Sequence, residues 1–219
     1  MINQAMLSML WDATLDTLIM VGSGTILATV VGLPAGILLT TTAPNHILEQ
    51  PLLHRALGGI VNIGRSIPFI ILMVAIIPFT RKLVGTSIGT AAAIVPLTVA
   101  AIPFVARLVD GALKEVDAGV IEAAESMGAS PPQIIYKVMI PEALPALVLA
   151  VTLTAVNLIG YSAMAGSMGG GGLGDLAIRY GYQRFRGDIM LITVIILVIL
   201  VQGIQMLGDK IAHKLYHHN

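Results

Sequence analysis

Five apolar windows dominate the chain, at about 17–39, 56–79, 88–106, 143–164 and 189–207. A bilayer-spanning helix needs about 20 mostly apolar residues, and each window meets that length. Among all five there is one formal charge, Arg65. Only 11% of the 219 residues are charged and 56% are hydrophobic. A soluble domain carries about a quarter charged residues, so the class is an integral membrane protein. Isolated strands would leave backbone polar groups unsatisfied in lipid, so the windows predict helices and the fold class is all-α. The first window is longer than a signal-peptide core and has no Lys or Arg before it, so it is expected to stay as an uncleaved span. The chain has no cysteine, which removes disulfides and thiolate metal sites, and its formal net charge of zero gives no case for nucleic acid as a partner.

Orientation follows from the basic residues. With the N-terminus outside, the inner segments hold Arg55, Arg107, Lys114, Lys137, Lys210 and Lys214, and the outer ones hold Arg81, Lys82, Arg179, Arg184 and Arg186. Six against five decides nothing by itself. The absence of Lys or Arg before Arg55 favours N-terminus out and C-terminus in. Pro34, Pro68, Pro78, Pro96, Pro103 and Pro145 fall in or near the windows, and together they predict curved helices around a shared pathway. Gly32 with Gly36, and Ala146 with Ala150, are small residues four apart. Such faces let helices approach closely, within one subunit or between two.

The segment 110–141 leaves the membrane between the third and fourth windows. From residue 107 to 141 it holds three Lys/Arg and five Asp/Glu. Asp117 is placed to cap a short helix running to about Met127, and Gly128 to end it in a left-handed conformation. Ser130, Pro131, Pro132 and Gln133 then read as a new helix start with a capping box. Val120, Ile121, Ala124 and Met127 fall near one side of the first helix. Ala123, Ala124 and Gly128 keep its relief low, which suits docking against another protein. A partnerless interfacial helix is the competing reading, but those are usually rich in Lys and Arg and this one is acidic.

The run Glu122-Ala123-Ala124, three residues, Gly128, nine residues, then Val138-Met139-Ile140-Pro141 resembles the EAA motif of ABC importer permeases. Val138 and Ile140 are its two conservative departures. Further stretches resemble the methionine-import branch of that family: NIGRSIPFIIL, IPFTRKLVGTSIG, AAIVPLTVAAIPFVARLV, PEALPALVLA, and GYSAM followed by GGGGLG. The resemblance implies a type I importer permease with five spans per subunit, working as a homodimer in a bacterial cytoplasmic membrane. It implies two cytoplasmic ATPase subunits that bind ATP and Mg, and a substrate-binding lipoprotein outside. This chain would have no catalytic residue, no metal site and no cofactor of its own. Glu122, Ala123, Ala124, Gly128, Ser130 and Pro141 would carry ATPase coupling. Methionine is the implied cargo. Another amino acid or small polar solute is the alternative, and an ion-coupled carrier is a more distant one, because no window holds an Asp, Glu or His.

Several residues outside the insert are pathway candidates. Arg65, with Ser66, is either a functional intramembrane cation or an interfacial residue at a polar helix start that snorkels. Tyr161, Ser162 and Met164 lie near the outer end of the fourth window, where a flexible apolar Met could plug a pathway or simply pack. Residues 169–174, GGGGLG, lack the Lys and Ser/Thr of a phosphate loop and are expected to form a flexible outer turn that could serve docking of the binding protein. His213, His217 and His218 are expected to be solvent-exposed rather than metal-bound.

Overall fold

The computed structural model describes residues 4–216, and every regular element among them is helical. The first helix, α1 (Gln4–Thr41), starts well before the apolar window because Asp12 and Asp16 lower hydropathy without breaking a helix. The remaining long helices are α5 (Thr90–Lys114), α8 (Ile140–Ser167) and α10 (Gly187–Tyr216). Shorter pieces lie between them: α2 (Pro51–Ser66), α3 (Phe69–Ala75), α4 (Ile77–Val84), α6 (Ala118–Ser126), α7 (Pro131–Ile134) and α9 (Gly172–Leu176).

α1 and α5 run parallel in a tight pair. A Cβ on Gly24 would meet Leu158 and Leu97, one on Gly32 would sit 2.7 Å from Val105 Cβ, and one on Gly36 would sit 2.5 Å from Val109 Cβ. The Gly32/Gly36 face is therefore used inside the protomer, with Val105 and Val109 filling the space that side chains would take. α2 returns antiparallel, held by His54 Nδ1 at 2.9 Å from the Leu39 carbonyl and by Gly64 against Pro103. α8 runs antiparallel to α1 and α5, and α10 packs along α8 with Gly208 against Thr152. Met20, Leu97, Val105, Leu113, Ile134, Met139 and Leu158 form the continuous core.

The 56–79 window is not one straight span. After Ser66 the chain turns through 99° between α2 and α3. Pro68 has no N–H to continue the ladder, and it holds Ile67 extended at φ −81, ψ 121. A second interruption at Ile76 precedes Pro78 in α4. Averaged hydropathy does not register either break.

The fourth span also departs from expectation. Instead of a separate short helix before it, the helical path is continuous from Pro131 to Ser167, 37 residues. A π-helical turn at Ile135–Met139 makes the join, with the Ile140 N–H bonding the Ile135 carbonyl. Widening the turn there relieves the clash that Pro141 would make with the preceding turn.

At the end of the bundle far from the insert, residues 169–174 form a packed fold-back, not the loose turn expected. Gly169, Gly171 and Gly172 have left-handed backbones, and a Cβ on Gly174 would overlap the backbone of Ala163. The Leu173 N–H donates to Thr17 Oγ1 at 2.9 Å, and the Gly89 N–H to the Gly169 carbonyl at 2.8 Å. Glycine here provides close approach.

Replacing Gly36 by Val should force α1 off α5 and lower stability by about 1–3 kcal/mol, the usual cost of overpacking. Thermal unfolding of the purified protein in detergent, compared with Gly22→Ala where an added Cβ meets nothing, would measure it.

Candidate coupling site

The insert is built from two well-terminated helix ends. Asp117 caps α6, its Oδ1 accepting the Gly119 N–H at 2.6 Å. At the other end Gly128 has φ +80. The Ala129 N–H bonds the Ala124 carbonyl and the Gly128 N–H bonds the Glu125 carbonyl, which is a Schellman ending. Ser130 then starts α7, and Gln133 Oε1 accepts its N–H at 2.8 Å. These local bonds fix the corner between α6 and α7 without help from outside the segment.

Two residues seat α6 on the body of the protein. Ala124 is 4% exposed and Ile121 is half-buried, both in the apolar cluster that also holds Ile134, Ile135 and Met139. Val120 and Met127, expected on that same side, point outward, at 43% and 82% exposure. The reason is angular. Ile121 and Ala124 take the inner face, and Val120, Ala123 and Met127, spaced i, i+3, i+7, share the next one. Glu122 and Glu125 are exposed beside this apolar ridge. The outer face is thus a low ridge, two of whose three residues, Val120 and Met127, are apolar side chains on view, flanked by carboxylates. Ser130 and Pro141 are exposed on the neighbouring turn, Pro141 in the first turn of α8.

A charged node lies above this surface. Asp110, in the last turns of α5, is 1% exposed. Its carboxylate accepts from Arg107 at 3.0 Å, Lys114 at 2.9 Å and Thr40 Oγ1 at 3.0 Å. It ties the end of α1 to the end of α5 where the insert begins. Composition and periodicity do not single this residue out. The signal was present as two cations at i−3 and i+4 of one acid. In the 42–50 connection, burial lowers the pKa of His46 below its ordinary 6.5, with Glu125 opposing and Lys114 adding to the shift. The loop from α1 to α2 therefore lies within electrostatic reach of α6.

The pathway candidates are not one cluster. Arg65 and Ser66 are exposed in the last turn of α2, so they form a helix end and not the helix start considered above. Tyr161 lies on α8 and stacks on Phe69, three residues beyond Ser66, with ring centroids 4.6 Å apart and 4° between planes. Met164 is exposed one turn further on, whereas Ser162 is buried and donates to the Ile159 carbonyl at 2.8 Å. Ser162 thus faces the core, away from Met164. His213 is exposed near the end of α10, and His217 and His218 lie outside the described residues.

Residues 32–208 match the model of the binding-protein-dependent transport system inner membrane component family. The chain belongs to this family. It is 56% identical over 209 residues to the probable D-methionine transport system permease protein of Vibrio cholerae, covering 95% of this chain and 93% of that one. It is 45% identical over 207 residues to the methionine import system permease protein of Bacillus subtilis, covering 94% and 93%. Among solved structures, one described as inward-facing conformations of the MetNI methionine ABC transporter matches with a TM-score of 0.96 at 50% identity, covering 97% of this chain and 99% of that one. An amino acid ABC transporter shares the fold, with a TM-score of 0.78 at 16% identity. The fold is thus that of a type I ABC permease.

Two outcomes test the local structure. Asp110→Ala should cost about 2 kcal/mol, because charged hydrogen bonds are each worth about 1.5–3 kcal/mol and the two cations here are half-exposed. Denaturant or thermal unfolding reads that change. For His46, a depressed folded pKa means its contribution is fully present above pH 6.5 and is lost as pH falls through the folded value. Protection factors in the 42–50 loop, with the intrinsic pH dependence of exchange divided out, should fall on acidification below 6.5, and His46→Gln should remove that fall.

Proposed function

We propose that the chain is the membrane-spanning permease subunit of an ATP-driven methionine importer, working as a dimer with two cytoplasmic ATPase subunits and an external binding protein. The observation that carries the coupling role is the α6 ridge: Val120, Ala123 and Met127 exposed, on a helix whose two ends are internally capped. Such a surface is rigid, low and partly apolar, so it can enter a cleft and transmit a push. The names of the Vibrio and Bacillus relatives, at 56% and 45% identity, support methionine as the cargo.

The mechanism follows from the connections. ATP draws the two ATPases together, and each carries the α6 of one protomer with it. Ala124 and Ile121 pass that displacement to Ile134 and Met139, and so to α8 through the π turn. Asp110 passes it to α1 and α5. The bundle then exchanges an inward-open packing for an outward-open one, and nucleotide sets the balance between them. The bundle described here corresponds to the inward-open packing, as its likeness to the inward-facing MetNI structure supports. Hydrolysis belongs to the ATPase subunits, which bind ATP and Mg. An ion-coupled carrier is disfavoured because Asp110, the acid buried among the long helices, is already paired with two cations and a threonine, and Asp12 and Asp16 lie in α1 before its apolar window.

The test is reconstitution with the ATPase and the binding protein. Methionine-loaded binding protein should stimulate ATP hydrolysis and drive uptake. Gly128→Asp should insert and fold: φ +80 strains any side chain, but an added Cβ meets nothing within 4 Å and Asp is among the residues that tolerate left-handed backbone, yet stimulation should be lost. Stimulation equal to wild type would reject the docking role. Orientation is read separately: a Ser130→Cys label should be accessible only from the cytoplasmic side, and a Ser167→Cys label only from outside.

A further inference from the structure

α2 has two exposed faces of opposite character. Arg55, Gly59, Asn62 and Ser66 fall within about 60° of one another on a 3.6-residue helix, with Arg65 flanking them. Leu52, Ile60, Ile63 and Ile67 occupy a separate exposed sector. Val61 and Gly64 face the protein, the latter 3.0 Å from Pro103 by its virtual Cβ. A single polar stripe therefore runs from the insert end of the bundle along α2 and stops at Arg65.

The stripe stops deep in the bundle. Pro103, beside Gly64, lies thirteen residues after the start of α5 at Thr90 and eleven before its end at Lys114. That puts Arg65 about 15–20 Å from either end of α5 at 1.5 Å per residue. The guanidinium has no hydrogen-bond or ion-pair partner among the described residues. An unpaired Arg at this depth is costly against lipid. Immediately beyond it the helix breaks at Ile67 and Pro68, and the last carbonyls of α2 have no following helical turn to bond them. Irregular backbone at membrane depth is tolerated only inside protein or against a water-filled cavity. A bare cation and an open carbonyl end at one spot are both incompatible with lipid on this face, and the polar stripe leading to them from the insert end fits water better than a packed protein surface.

We propose that Arg65 is the residue of the translocation pathway that receives the substrate's carboxylate, at the closed end of a water-filled channel lined by the α2 stripe. This rests on the importer reading above. A guanidinium matches a carboxylate with two parallel hydrogen bonds. The carbonyl end of α2 beside it favours a positive group. A zwitterionic amino acid presents both charges, a carboxylate for the guanidinium and an ammonium for the carbonyl end. Asn62 and Ser66 complete a polar floor, with Ser66 Oγ donating to the Asn62 carbonyl at 2.8 Å. Selection in the membrane would then act on the charged end that all α-amino acids share, leaving side-chain choice to the binding protein.

The test measures methionine carried per ATP hydrolysed in the reconstituted complex. Arg65→Gln should lower that ratio about tenfold or more, as expected for losing a charged hydrogen-bonded pair, and Arg65→Lys should lose less. Because the chain has no cysteine, Arg65→Cys gives one thiol per permease subunit, in a complex assembled with cysteine-free ATPase and binding protein. A membrane-impermeant trimethylammonium methanethiosulfonate added on the insert side should reach it. In separate samples, the aminoethyl adduct should restore the ratio and the neutral methyl adduct should not. The two adducts sit on the same folded protein, so this comparison stands even if Arg65→Gln does not assemble. A wild-type ratio in Arg65→Gln, equal rescue by both adducts, or a thiol the impermeant reagent does not reach would overturn the inference. A wild-type complex without ATP-driven methionine uptake would instead overturn the importer reading.

Discussion

The contact between α1 and α5 sets the frame for everything else. Two glycines one turn apart, Gly32 and Gly36, let Val105 and Val109 press directly on backbone. In lipid there is little hydrophobic drive between apolar helices, so close packing of this kind supplies the association. Its parallel register also brings Thr40 beside Asp110. Without that register the buried carboxylate would lose one of its three donors, and the base of the insert would lose its fixed position on the bundle.

From this frame the chain divides into stiff and irregular parts. α6 is stiff because its ends are closed by its own hydrogen bonds and its inner face is seated by Ala124 and Ile121. The irregular points are the π turn at Ile135–Met139 and the break after Ser66. Both sit beside a proline, Pro141 for the π turn and Pro68 for the break. A rigid lever joined to a bundle through irregular turns is a physical arrangement that can hold two packings.

Much of the insert was legible in the sequence because its rules are local. The Asp117 cap, the left-handed Gly128 and the Ser130–Gln133 box depend on neighbours within five residues. The spans were legible by length and hydropathy, and TM-scale matching of the fold agrees with an all-helical permease. What escaped depends on the third dimension. Hydropathy averages over the Pro68 turn. Helix periodicity alone could not say whether Val120 or Ile121 would be buried, since adjacent residues lie 100° apart and the seating surface belongs to α7 and α8. The parallel pairing of α1 with α5 and the packed glycine fold-back at 169–174 require partners more than seventy residues away, such as Thr17 for Leu173.

The central claim is that α6 moves with the ATPase and carries the bundle with it. The most direct measurement is the distance between spin labels on Met127→Cys in the two protomers of the assembled transporter, with and without trapped ATP. Met127 is exposed on the outer ridge and this chain has no other thiol, so with cysteine-free ATPase subunits the label reports α6 alone. The account predicts that the two labels approach each other when ATP is held and separate after hydrolysis. An unchanged distance between these states, in a complex that still transports, would contradict it.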